Sequence, residues 1–129
     1  MFGLFESDAN KAKRLFDEFQ SYLGKISLLS EEEQTRMSVA LGGVIVELEK
    51  SIGNPLAARG EDAKRMANQL RATAKNFSPQ LAICYKLLAT SAEAASISHP
   101  IAVSFRQGAE QLYLGAELSY RQYLDEKKR

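Results

Sequence analysis

The chain has 129 residues, a mass of 14.3 kDa, and seventeen Lys and Arg against sixteen Asp and Glu, a net charge of +1. A hydrophobic fraction of 45% and a charged fraction of 26% are those of a folded domain, which argues against a disordered chain. The near-neutral charge argues against a dedicated nucleic-acid coat, and Cys84, being the one cysteine, excludes an internal disulfide.

Apolar residues recur at three- and four-residue spacing from end to end, so the pattern predicts helices throughout. The first, over about 7–24, carries Ala12, Leu15, Phe16, Phe19, Tyr22, Leu23 and Ile26 on one face. Ser7 is placed to cap its start and Gly24 to stop it. The second, over about 30–52, opens with the capping box Ser30–Glu33 and carries Met37, Leu41, Val44, Ile45 and Leu48 before Gly53. Val39 and Val46 lie on its opposite side, so this helix is expected to be the central one, sandwiched between neighbours.

After the Asn54-Pro55 turn, a third helix over about 61–77 presents Ala63, Met66, Ala67, Leu70, Ala74 and Phe77. Ser78-Pro79 starts a fourth over about 79–97, with Leu81, Cys84, Tyr85, Leu88, Ala92 and Ala95 facing inward. The fifth, over about 100–126, carries Ile101, Phe105, Ala109, Leu112, Ala116, Tyr120 and Tyr123. No window alternates as a strand would. Short connections make successive helices antiparallel, and the expectation is an all-α chain, residues 1–129 forming a single-domain antiparallel bundle of four to five helices. Ser104, Gly108, Gly115 and Ser119 share one side of the fifth helix, which predicts close packing against Ala89, Ala92, Ala95 and Ser96 of the fourth.

Residues that could carry chemistry are few. Cys84 lies on or near the inner face of its helix, with no neighbouring base to activate it, and reads as structural. His99, the one histidine, precedes Pro100 in a turn; capping is its plain role and a phosphorelay its sharper one, although relay sites keep the imidazole mid-helix. One Cys and one His do not make a zinc set, Glu-x-x-His is absent, and Gly42-Gly43 lacks the Lys-Ser/Thr of a phosphate loop. The expectation is a protein that is not an enzyme and uses no metal or cofactor.

Two features point to binding. From Asn54 to Phe77 five basic residues face two acidic ones, and Lys64, Arg71 and Lys75 fall within about 40° of one another on the helix, a candidate stripe for an acidic partner. Nucleic acid is disfavoured by the overall balance. Leu114 and Leu118 lie off the main apolar face of the fifth helix, and Tyr113, Tyr120 and Tyr123 add amphipathic rings; together they are the candidate partner surface. Met1–Phe5 is apolar, as a tip that touches a membrane surface would be, but it lacks a basic flank, and no run approaches the ~20 residues of a membrane span. The sequence therefore predicts a cytoplasmic, non-catalytic helical domain that acts by protein–protein contact and associates with itself. The competing reading is a small-molecule-binding bundle with an apolar pocket formed by Met37, Tyr85, Phe105 and Tyr113.

Overall fold

A computed structural model describes residues 6–128. Five helices follow one another: α1 (Asp8–Ser27), α2 (Glu31–Ser51), α3 (Gly60–Ala74), α4 (Pro79–Ala94) and α5 (Pro100–Lys127). They pack as an all-α bundle, with no strand among the described residues. The N-terminal apolar residues Met1–Phe5, and any membrane contact they make, lie outside the described residues.

Local chemistry accounts for most of the helix starts. Ser7 accepts from the Asn10 N–H at the head of α1. Ser30 and Glu33 exchange side-chain and backbone bonds at the head of α2, satisfying two N–H groups that the helix leaves free. Ser78 accepts from the Leu81 N–H, and Pro79 occupies the first turn of α4, where its missing donor costs nothing. His99 Nδ1 accepts from the Ile101 N–H at 3.1 Å, which makes the histidine the cap of α5.

Helix ends depart from expectation in three places, one of them α4, which closes at Ala94 rather than near 97. Gly24 does not stop α1, which runs on to Ser27 because Ile26 still packs against the core beyond it. Gly53 does end its helix, with φ at +103°, the left-handed region that glycine enters without penalty. Helix α3 closes at Ala74 rather than near 77, so Phe77 leaves the helix face and stacks on Tyr85, ring centres 5.0 Å apart.

The central helix is α4, not α2. It packs against all four others, whereas α3 packs on α4 alone. From Leu87 to Ala94 every residue of α4 is buried, an unbroken run that spans the full circumference. Its composition explains this: Lys86 and Glu93 are its only charged residues, and Ala82, Ala89, Ala92 and Ala94 let neighbours approach from several sides. Helix α2 keeps one exposed side, with Arg36, Glu47 and Lys50 in solvent.

Buried polar groups on α4 are answered from within. Tyr113 of α5 is 1% exposed and donates to the Leu87 carbonyl at 2.9 Å, while its hydroxyl also meets Ser91 Oγ at 2.5 Å. Thr90 donates back to the Leu87 carbonyl, and Ser91, with the Tyr113 proton already given to that carbonyl, donates to the Tyr113 oxygen. Glu93 is paired with Arg71 of α3 and, at 3.8 Å, with Lys11 of α1; Arg71 also reaches Glu18 at 3.9 Å. This cluster ties α1 and α3 to α4. Replacing Glu93 by Gln removes the charge-assisted bond to Arg71, and urea unfolding should report a loss of about 1.5–3 kcal/mol.

The close approach of backbones occurs at a different glycine from those the small-residue stripe singled out. Gly42 of α2 lies against α5: a Cβ there would fall 2.7 Å from Tyr120 Cβ and run into the Ala116 carbonyl. Ser38 and Ser119 hydrogen-bond across the same seam at 3.1 Å. Gly108 and Gly115, by contrast, face open space, because the side of α5 that carries them turns away from α4. Gly42→Ala should therefore cost about 1–3 kcal/mol by forcing α2 from α5. Gly24→Ala, in a helix interior with nothing near its added Cβ, should gain up to about 1 kcal/mol. Denaturant midpoints of the two variants, moving in opposite directions, check both.

Candidate functional site

Helices α1 and α5 run in the same direction side by side. Phe16 and Phe19 of α1 meet Phe105 of α5, with ring centres 5.9 and 4.9 Å away, and further along Leu23 and Ile26 share a cavity with Leu112 and Ala116. Between them lies an apolar groove of about 530 Å³, open to solvent. Phe16, Phe19, Gln20 and Leu23 form one wall. The other wall is Pro100, Ile101, Ser104, Phe105, Gly108, Ala109 and Leu112.

The groove follows from residue sizes. Ser104 and Gly108 project almost nothing from α5, so the two helices cannot close the space that Phe16 and Ile101 prop open at one end. Phe16, Ile101 and Leu112 are left 37%, 40% and 36% exposed. A second, more enclosed cavity of about 210 Å³ adjoins the groove through the shared residues Leu23 and Leu112 and reaches inward to Met37, Leu41 and Cys84. Apart from Gln20, Gln34, Ser38 and Ser104, the combined lining is free of hydrogen-bonding side chains other than the thiol. Such a space sorts ligands by apolar shape; it offers no paired acid and base for catalysis.

The predicted site residues are dispersed. Leu114 and Leu118 are 55% and 62% exposed, on the side of α5 away from the core. Tyr113, grouped with them from the sequence, is a core residue, because its position on α5 points it at the Leu87 carbonyl of α4. Tyr120 is half-buried over Gly43, and Tyr123 lies in solvent with the Lys127 ammonium over its ring. The expected four-residue pocket does not assemble. Met37 and Phe105 line neighbouring cavities, Tyr113 points into the α4 polar cluster, and Tyr85 is occupied by Phe77.

The basic stripe is likewise broken. Lys64 and Lys75 are exposed, but Arg71 turns inward to Glu93, so the three do not present one charged face. No group of three or more His, Cys, Asp and Glu side chains that could hold a metal occurs among the described residues. No described helix is long and apolar enough to cross a membrane.

Sequence reasoning missed the groove. Phe16, Leu23, Ile101 and Leu112 were all visible as apolar positions, and Ser104 and Gly108 as small ones. Nothing in the periodicity tells which pair of helices leaves its seam unfilled. No family model matches the chain, and neither a curated protein nor a solved structure does so.

Cys84 is buried, and burial pushes its thiol up to about 12 from an ordinary 9.0. Burial and the Glu18 carboxylate likewise hold the Tyr22 phenol up at about 12. Both groups stay neutral in the folded chain at pH values where the unfolded chain ionises. The stability they contribute is therefore complete below pH 9 and is lost as pH rises towards 12. Urea unfolding at stepped pH should show stability falling over that window, and Cys84 should react with a thiol reagent at pH 8 only as fast as the chain unfolds.

Proposed function

We propose that the chain is a non-catalytic helical interaction domain that receives the apolar face of a partner helix along the α1–α5 groove. The observation that carries this reading is the groove itself: three large apolar side chains exposed together around a cleft of about 530 Å³. Seating an amphipathic helix there would remove Phe16, Ile101 and Leu112 from water, each contributing roughly 0.5–1 kcal/mol. Two parallel helices with small residues between them make a trough that fits side chains spaced three and four apart. The buried, unpaired thiol of Cys84 is compatible with a reducing compartment, so the cytoplasm is the proposed location.

Self-association is the second reading. It is favoured by Leu114 and Leu118, one turn apart on the outer face of α5 and both more than half exposed. The two surfaces lie on different sides of α5, so they separate experimentally.

Gly108→Leu provides the test, because an added side chain there meets open space and a helix interior gains from losing glycine. The variant should melt no lower than wild type while its affinity for an apolar fluorescent probe, 1-anilinonaphthalene-8-sulfonate, falls about tenfold. Probe binding that survives in Gly108→Leu overturns the groove as the site. Sedimentation equilibrium of the Leu114→Ser, Leu118→Ser double variant checks the second reading: a dimer in wild type that dissociates in the variant supports it, and a wild-type monomer at all concentrations removes it.

A further inference from the structure

We infer that Arg59 and Arg106 form a binding site for a phosphate group at the junction of the α2–α3 loop and α5. Among the arginines of the described residues, Arg14, Arg36, Arg65, Arg71 and Arg121 each meet a carboxylate, in turn Glu6, Glu32, Asp62, Glu93 and Glu117. Arg59 and Arg106 are the two that do not. Far apart in sequence, they converge on one atom: Arg59 donates to the Leu56 carbonyl at 2.7 Å and Arg106 donates to the same oxygen at 2.8 Å.

Two guanidinium groups sharing one neutral acceptor bring like charges together, and no carboxylate among the described residues forms an ion pair with either. Arg106 is further short of partners, since its Nε is buried and makes no hydrogen bond. The carboxylate acting on it from its own helix is Glu110, which makes no ion pair with it. Arg59 is also the residue that precedes α3, and no side chain caps the first N–H groups of that helix. The positive end of that helix is answered in its first turn by Glu61 and Asp62, so the excess of charge rests on the two guanidinium groups.

An oxyanion is what such a corner lacks. A phosphate group carries a charge of about −1.5 to −2 and offers several acceptor oxygens, enough to engage both guanidinium forks at once. A carboxylate, with one charge, leaves one arginine without a counter-charge. The site lies apart from the α1–α5 groove, whose walls contain neither arginine.

The test is titration of the full chain with inorganic phosphate at constant ionic strength, followed by calorimetry and by thermal melting. Saturable one-site binding with a rise in Tm is expected, acetate binding at least tenfold more weakly. Arg59→Gln and Arg106→Lys should each weaken phosphate about tenfold or more, while Lys64→Gln and Lys75→Gln leave it unchanged. Arg59→Gln keeps the Arg106–Leu56 bond, so its loss of binding is not a loss of fold. Without phosphate it should melt at or above wild type, because a like charge has gone, and with phosphate below it. Phenyl phosphate binding more tightly than inorganic phosphate assigns an esterified ligand, and equal or weaker binding assigns the free anion. Absence of saturable phosphate binding, its survival in Arg59→Gln, or acetate binding as well as phosphate overturns the proposal.

Discussion

Enclosing α4 on every side from Leu87 to Ala94 is the constraint from which the rest of the bundle follows. A stretch of helix with no solvent face has to be narrow where neighbours press on it and satisfied wherever it is polar. Alanines at 89, 92 and 94 meet the first requirement. The second is met by partners brought from other helices: the Tyr113 hydroxyl from α5 for Ser91, and Arg71 and Lys11 from α3 and α1 for Glu93. These polar contacts do more than avoid a penalty. A buried carboxylate without its cations, or a buried hydroxyl without an acceptor, costs more than the made bond contributes, so they penalise packings that misplace α1, α3 or α5.

The groove is the complement of tight packing elsewhere. Gly42 lets α2 press directly on the backbone of α5 at Ala116, and Ser38 and Ser119 pin the same crossing. On its other flank, α5 is tied to the α2–α3 loop by Arg106 at the Leu56 carbonyl. With α5 held there, its remaining side has to meet α1 with whatever residues fall on it, and those include Ser104 and Gly108. The phenylalanines Phe16, Phe19 and Phe105 meet one another across the seam without closing it, and they form part of the groove's lining.

What could be read beforehand, and what could not, divides along a physical line. Caps are local: Ser30 with Glu33, and Ser78 with Pro79, act over three or four residues, and both lie where their chemistry required. The all-α class rests on periodicity, which is local as well. Choosing the central helix needed a comparison of whole circumferences. The double apolar face of α2 suggested burial, yet α4, with two charges in sixteen residues, carried the stronger signal. Gly24 misled because a glycine stops a helix only when no apolar residue beyond it has core to reach, and Ile26 does. The close approach expected at Gly108 and Gly115 falls at Gly42 for a similar reason. Periodicity puts Gly42 and Gly108 each on a face, but which face another helix occupies is decided by the assembly.

Charge shows the same limit most sharply. A net charge of +1 and a basic stretch around α3 suggested a cationic stripe, but Arg71 belongs to a buried carboxylate on α4, and Arg65 is taken by Asp62. The unpaired arginines are Arg59, inside that basic stretch but off the stripe, and Arg106 within α5, outside the stretch. On α5, Phe105 and Arg106 are consecutive, and at about 100° per residue they face different neighbours, the first the groove and the second the loop. One helix thus presents an apolar wall on one side and an unanswered cation on another. Holding the loop accounts for one bond of Arg106, but not for the open groove or for the second guanidinium beside it. A groove left unfilled and like charges left adjacent both cost the folded chain, and such costs are characteristic of surfaces shaped for something outside the chain.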